Sequence, residues 1–194
     1  MDVDEKHLIQ RILGGKTDEY SYFLDRYGRE VYAVAVRLLG HAQDAEEVTQ
    51  DAFVSAFQHL DDYRPELPFA TWVCRMAYNR AISVLRKKKR LPKSSNLPED
   101  QLASVTDEMV ASAFSDTSDE RIQMLEQAVE QLPADDQTLI SLFYHHGKPL
   151  KEIAYILGLD ANAQRSVAML ATRISRIRKK LYVIIKQMEE RYER

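Results

Sequence analysis

One cysteine, Cys74, one tryptophan, Trp72, six glycines and six prolines are all that 194 residues hold of these types. A lone cysteine closes no internal disulfide, and no Cys/His spacing outlines a zinc site. Neither a disulfide scaffold nor a metal centre is expected, and no cofactor is predicted. Absence of disulfides fits the reducing cytoplasm. So few glycines and prolines leave long helices as the expected element, and no β-rich run or internal repeat competes with them. Long hydrophobic runs are missing too. The stretch VYAVAV (31–36) stops at Arg37, far short of the roughly 20 apolar residues that span a bilayer. The first residues, MDVDEKHLIQ, are acidic and lack the basic-then-apolar order of a secretory signal. A soluble cytoplasmic protein with no direct membrane insertion is expected. Catalytic constellations are wanting as well. His145 and His146 are adjacent and point apart on a helix, no glycine-rich phosphate loop accompanies them, and the carboxylates of 44–51 have no basic or metal-binding residue among them. The chain does not read as an enzyme.

What is present is charge, sorted into blocks. The formal net charge is −3, yet residues 1–62 carry 6 Lys/Arg against 13 Asp/Glu, and 63–93 carry 9 against 1. Residues 94–147 return to 1 against 11, and 148–186 hold 9 against 2. Screening acts over about 10 Å, so a distant acidic block does not cancel a local basic one. A polyanion would meet two separate attractive surfaces. Pairing of the blocks with each other inside one molecule is the plainer alternative.

Helical spacing organises the chain. Phe23, Tyr27, Val31, Val34 and Leu38 recur at three-four intervals, with Gly40 as a stop. A second helix over 44–60 is expected to start at Asp44 as N-cap with Glu47 completing a capping box. Its apolar stripe is Val48, Ala52, Phe53, Ala56 and Leu60. Two prolines then break helix before FATWVCRMAYNRAISVLRKKKR. Residues 91–117 carry Pro, Ser, Thr and Asp with weak periodicity and read as a linker, with a short helix near 106–114. Helical spacing returns at Ile122, Leu125, Val129 and Leu132. The predicted fold is all-α: two small helical domains on a flexible linker, the second a helix-turn-helix.

On a wheel of 100° per residue, Val73, Ala77, Ala81 and Val84 form the inner face of the tryptophan helix. Trp72, Arg75, Asn79, Ser83 and Arg86 gather on the outer face and run into Lys87, Lys88, Lys89 and Arg90. Cations neutralise phosphates, an aromatic ring stacks a base for about 1–3 kcal/mol, and an amide reads a base edge. Such a surface suits nucleic acid with unpaired bases. The competing reading makes Trp72 core and the cations a complement to the helix dipole. Arg80 falls inside the apolar arc and should pair with an acidic residue of the preceding helix.

These residues carry a family resemblance. The DAEEVTQDAF helix, the F-x-T-W motif (Phe69, Thr71, Trp72), R-x-A-x-N (Arg75, Ala77, Asn79) and the trailing basic run closely resemble region two of bacterial extracytoplasmic-function (ECF) sigma factors of the sigma-70 family. The resemblance implies a dissociable subunit of RNA polymerase that recognises and melts promoters. It implies minus-ten contacts, including single-stranded non-template DNA, from Phe69, Thr71, Trp72, Arg75, Asn79, Ser83, Arg86, Lys87, Lys88, Lys89 and Arg90. A base flipped out of the stack would be held near Asn79. On the DAEEVTQDAF helix, Asp44, Glu47, Gln50 and Asp51 form a polar face that reads on its own as solvated. By the resemblance it docks on the clamp helices of the largest subunit of core polymerase. An anti-sigma factor is a further implied partner.

The second basic block begins KPLKEIAYILGL (148–159), the signature of a first helix with Pro149 at its start and Gly158 in the turn. Ala163, Val167, Leu170, Ile174, Ile177, Leu181, Ile184 and Met188 then mark one long amphipathic helix. Its other face carries Arg165, Thr172, Arg176 and Lys179, with Arg173 to one side. Those groups could enter a major groove, or be the solvated face of a bundle helix. The segments QLPADDQTLISLFYHHGKPLKEIAYILGL and RISRIRKKL resemble region four of the same family, which binds the minus-35 element; Lys148 joins its expected contacts. Between Gly158 and RISRIRKKL the chain is roughly a turn and a half longer than that pattern, and the excess must extend the helix or bulge into the turn. The expected division is region two over 1–92, linker 93–117 and region four over 118–194. A helix-turn-helix regulator acting without polymerase is the alternative, and it has no use for the Trp72–Asn79 face.

Overall fold

The computed structural model describes residues 4–88, 102–115 and 118–192, and among these every regular element is helical. Helix α1 (Glu5–Leu13) and a short 3-10 turn (Thr17–Tyr20) lead into α2 (Ser21–Leu39). Gly40 closes α2 in the left-handed region, φ 64°, with its N–H on the Val36 carbonyl at 2.8 Å. Glycine reaches that conformation at no steric cost. The chain turns so sharply there that α3 (Ala42–Gln58) begins two residues later, after an extended His41. Asp44 therefore lies within the first turn and is not the N-cap. Its carboxylate goes instead to Lys88 Nζ at 2.5 Å. After a 3-10 turn at Leu60–Asp62, α4 runs from Phe69 to Lys87.

In the second half come α5 (Asp107–Ala113), α6 (Asp119–Glu130), α7 (Ala134–Ile140), α8 (Leu150–Ile156) and α9 (Gln164–Tyr192). Helix α7 widens into a π-type turn at Ser141–His145, with His146 N–H on the Ser141 carbonyl at 3.1 Å. The short helix expected near 106–114 is α5. Thr106 caps it by accepting from Met109 N–H, and Val110 and Ala113 are buried as α5 packs on α9. Of the rest of the expected linker, residues 93–101 and 116–117 lie outside the described residues, and Val105 is buried.

Helices α2, α3 and α4 pack together through the predicted stripes. Phe23, Val31, Val34 and Leu38 of α2 meet Val48, Ala52, Phe53 and Ala56 of α3 and Val73, Ala77 and Ala81 of α4, all buried. Val84 is only half-buried, and Leu85 takes the inner position instead. Helix α9 lays Leu170, Ile174, Ile177, Leu181 and Ile184 over the second half, as its spacing predicts. The two halves are not held apart: α8 packs on α4 and α7 on α2, and one continuous apolar core runs from Leu8 to Ile185.

The helix-turn-helix turn has a defined form. Leu159 N–H reaches back to the Ala154 carbonyl at 2.8 Å, and Gly158 N–H to Tyr155 at 3.0 Å, with Gly158 at φ 75°. This is a Schellman closure. Residues 160–163 extend the turn, Asn162 N–H bonding to Asp160 Oδ1 at 2.9 Å, and helix resumes at Gln164. Of the segment 160–171, residues 160–163 therefore lie in the turn and 164–171 in α9. A Cβ at Gly158 would meet nothing within 4 Å, so Gly158→Ala costs only the left-handed backbone penalty. A loss of roughly 1–2 kcal/mol in chemical denaturation is expected.

Candidate nucleic-acid interface

The outer face of α4 is divided in two. At its start, Phe69 is fully buried, its ring 4.1 Å from Phe23 and 5.8 Å from Trp72. Trp72 is half-buried between Phe69 and Tyr63, whose ring lies 5.3 Å away. Thr71 has no exposed surface and donates its hydroxyl to Glu152 of α8. Arg75 is half-buried, its Nη1 on the Tyr155 carbonyl at 3.0 Å and its guanidinium 4.4 Å over the Tyr155 ring. Phe69 and Thr71, expected among the DNA contacts, are therefore not on the surface. Phe69 supports the tryptophan, and Thr71 faces α8.

From Asn79 onward the face is open. Asn79, Ser83, Arg86, Lys87 and Lys88 are exposed, spread over about 13 Å of helix at 1.5 Å per residue. Lys89 and Arg90 lie outside the described residues. Asn79 and Ser83 line a groove of about 530 Å³ between α3 and α4, with Met76 below and Ser55 and Gln58 on the far wall. Arg80 makes the predicted pair with the preceding helix, Nη2 to Asp51 Oδ2 at 2.6 Å, but from the surface and not from within the apolar arc.

The contact between the halves centres on Lys148. Its side chain is only 8% exposed, with Nζ 2.7 Å from Glu30 Oε1, 3.2 Å from Thr71 Oγ1 and 3.5 Å from Glu152 Oε2. Burial disfavours the charged ammonium, but the hydrogen bond and charge of Glu30 outweigh it, so the pKa ends above the usual lysine value. An expected minus-35 contact is thus turned inward, because two carboxylates offer the ammonium closer partners than solvent. Cys74 lies beside this cage, its Sγ 3.7 Å from Glu30, and burial pushes its thiol pKa up. A thiol so placed stays protonated and unreactive.

On α3, Glu47 and Gln50 are exposed, while Asp44 and Asp51 are half-buried and engaged by Lys88 and Arg80. Val54 and Phe57 stand exposed on the same side at 55% and 39%. With Glu47, Gln50 and Gln58 they occupy an arc of about 100°. The only sign of these two in the sequence is that both fall off the Val48–Ala56 stripe; the Phe57 ring also packs edge-on against Tyr20, 5.0 Å away.

On α9, Arg165, Thr172 and Arg176 are exposed and Lys179 half-buried, in an arc of about 60° and over about 20 Å of helix. Arg173 is committed elsewhere: Nη2 lies 2.7 Å from Asp136 Oδ1, and Asp136, itself buried, also receives Lys180 at 3.3 Å. That pair ties α9 to α7.

Comparison with known proteins bears on the same segments. The family model for Sigma-70 region 2 matches residues 23–91, and that for Sigma-70 region 4 matches 122–181. The chain is 27% identical to the ECF RNA polymerase sigma factor SigW of Bacillus subtilis, covering 93% of this chain and 96% of the relative. Identity to the ECF RNA polymerase sigma-E factor of Escherichia coli is also 27%, covering 82% and 85%. Among solved structures, CnrH in complex with the cytosolic domain of CnrY superposes with a TM-score of 0.61 at 23% identity, covering 93% of this chain and 96% of that one. The sigma factor RpoE in complex with the anti-sigma factor NepR, from Bartonella quintana, gives 0.60 at 20% identity over 87% and 97%. The fold is shared with both. With an open amide-and-cation face on residues matched by region 2 and a helix-turn-helix on residues matched by region 4, the chain belongs to the sigma-70 family of RNA polymerase sigma factors, in its ECF branch.

Proposed function

We propose that the α4 face from Trp72 to Lys88 holds the non-template strand of the minus-ten element, while α9 grips the minus-35 element and the α3 face docks on core polymerase. The observation that carries this is the open run Asn79–Lys88 beside the α3–α4 groove. Cationic tips collect phosphates there, the Asn79 amide meets a base edge, and the groove gives an unstacked base room to enter. Arg165, Thr172, Arg176 and Lys179 supply a matching face for duplex DNA. Glu47, Gln50, Val54 and Phe57 form a mixed acidic and apolar surface suited to protein and repellent to phosphate. In this reading region two extends over 1–92, the linker over 93–117 and region four over 118–194, and the protein acts in the cytoplasm. Two structural relatives are held by protein partners, one of them an anti-sigma factor, which supports an anti-sigma factor as a partner of this chain.

Run-off transcription with purified core polymerase tests the proposal. A promoter-dependent product that appears only when this protein is added supports it. Duplex binding with no transcript supports a regulator that works without polymerase. A second experiment addresses the lysines. Replacing Lys87, Lys88 and Lys89 by alanine should weaken single-stranded DNA binding whatever its sequence and flatten the log–log salt slope by about 2, at roughly 0.7 per phosphate. An unchanged slope would return those lysines to an ordinary solvated surface.

A further inference from the structure

The α9 face proposed for the minus-35 element is cationic at its ends and apolar in between. Arg165, Thr172 and Arg176 are exposed along one side of the helix, and Ala168 and Met169 stand exposed on either flank of that line, widening the arc to about 100°. Met169 is 48% exposed, the only exposed large apolar side chain of α9 among the described residues. Its neighbour Leu170 is fully buried and carries the inward stripe, so Met169 adds little to the core. Thr172 donates its hydroxyl proton to the Ala168 carbonyl at 3.0 Å. That bond spends the donor a base could have used and leaves the methyl. Arg173, the one cation inside this stretch, is bound to Asp136.

Spacing converts this pattern into a base preference. Side chains three or four residues apart on a helix in the major groove meet successive base pairs. Arg165, Met169, Thr172 and Arg176 follow that interval, so the two inner residues face the two inner pairs. Neither brings a free donor to the O6 and N7 of a guanine. An A·T pair instead presents the thymine C5-methyl group, which apolar side chains match. Methionine suits that contact, because its unbranched, polarizable chain adapts to the shape it meets.

We infer that Met169 and the Thr172 methyl read thymine C5-methyl groups at two adjacent A·T pairs inside the minus-35 element, between outer positions held by Arg165 and Arg176. The inference rests on the promoter reading of α9 above and names bases that reading leaves open. Discrimination comes from one methyl group per pair. Covered by Met169, each is worth about a fourfold preference over the same site without it. Met169 thereby determines specificity, while the two arginines supply the charge that holds the duplex.

The test uses holoenzyme assembled from core polymerase and the full chain. Promoters selected by it from a pool randomised across the minus-35 element should share two adjacent A·T pairs at one fixed place; G·C pairs throughout would overturn the inference. A selected promoter is then synthesised with deoxyuridine replacing thymine in that element alone, which removes methyl groups and leaves the protein untouched. The parent should bind the uracil promoter about four- to sixteenfold more weakly, for one or two methyls lost. Met169→Ala should bind the thymine promoter about fourfold more weakly and lose most of the preference, with an unchanged melting temperature. Met169→Leu, which restores an apolar chain, should regain the preference. Equal binding of the two promoters by the parent would overturn the methyl reading, and an undiminished preference in Met169→Ala would remove Met169 from it. The Arg165→Ala/Arg176→Ala variant should weaken binding to both promoters alike and flatten the log–log salt slope by about 2. If that variant binds as the parent does, α9 does not grip the minus-35 element, and the promoter reading of α9 fails and takes the inference with it.

Discussion

Asn79→Ala is expected to leave binding to core polymerase unchanged and to slow promoter opening by roughly 5- to 150-fold, the equivalent of the 1–3 kcal/mol carried by a good amide–base contact. Asn79 is exposed on α4 and lines the α3–α4 groove. Removing its amide leaves no buried group unpaired, so the folded state should change by less than about 0.5 kcal/mol. The proposed docking face lies on α3, on side chains that Asn79 does not organise. Loss of opening with intact polymerase affinity, read by open-complex formation and by titration with core enzyme, would separate the two surfaces. Equal opening by variant and parent would remove Asn79 from the proposed machinery.

Phe69→Ala should show the opposite pattern, a large loss of stability ahead of any specific loss of DNA contact. The ring is fully buried and packs on Phe23, Tyr63 and Trp72. Truncating a phenylalanine in such a place costs about 3–5 kcal/mol, or roughly 10 °C in melting temperature for a chain of this size. Trp72 is the sole tryptophan, so its emission reports directly on the platform beneath it. A red shift in the native variant should accompany the drop in melting temperature. An unchanged melting curve and spectrum would mean that Phe69 does not support Trp72.

These two residues, ten apart on one helix, show what could and could not be read from the letters. Periodicity placed the inner face correctly at Val73, Ala77 and Ala81, because a 3.6-residue repeat is a local property of the helix. It also anticipated that Arg80 would need an acid on α3, and Asp51 supplies it. A motif such as F-x-T-W joins in one string residues that face different ways, so Phe69 and Thr71 were grouped with Trp72 although both are buried. The Asp44 cap was misplaced because Gly40 restarts the helix early, and Lys88, forty-four residues on, takes the carboxylate. Ile122 fits the stripe of α6 and yet stays exposed, with Ala128 taking the buried place. Lys148 was hardest to read. Its partners Glu30 and Thr71 belong to the other half of the chain, and a contact between two halves leaves no periodic trace in either.

Of the roles proposed, the holding of parted DNA strands by α4 is the one on which the others depend. Permanganate oxidation of unpaired thymines, in a ternary mixture of core polymerase, this protein and a promoter it transcribes, observes it most directly. Thymines of the minus-ten non-template strand should become reactive with the parent protein and much less so with Asn79→Ala. A fully protected, duplex-like pattern with the parent protein, despite bound polymerase, would contradict the account.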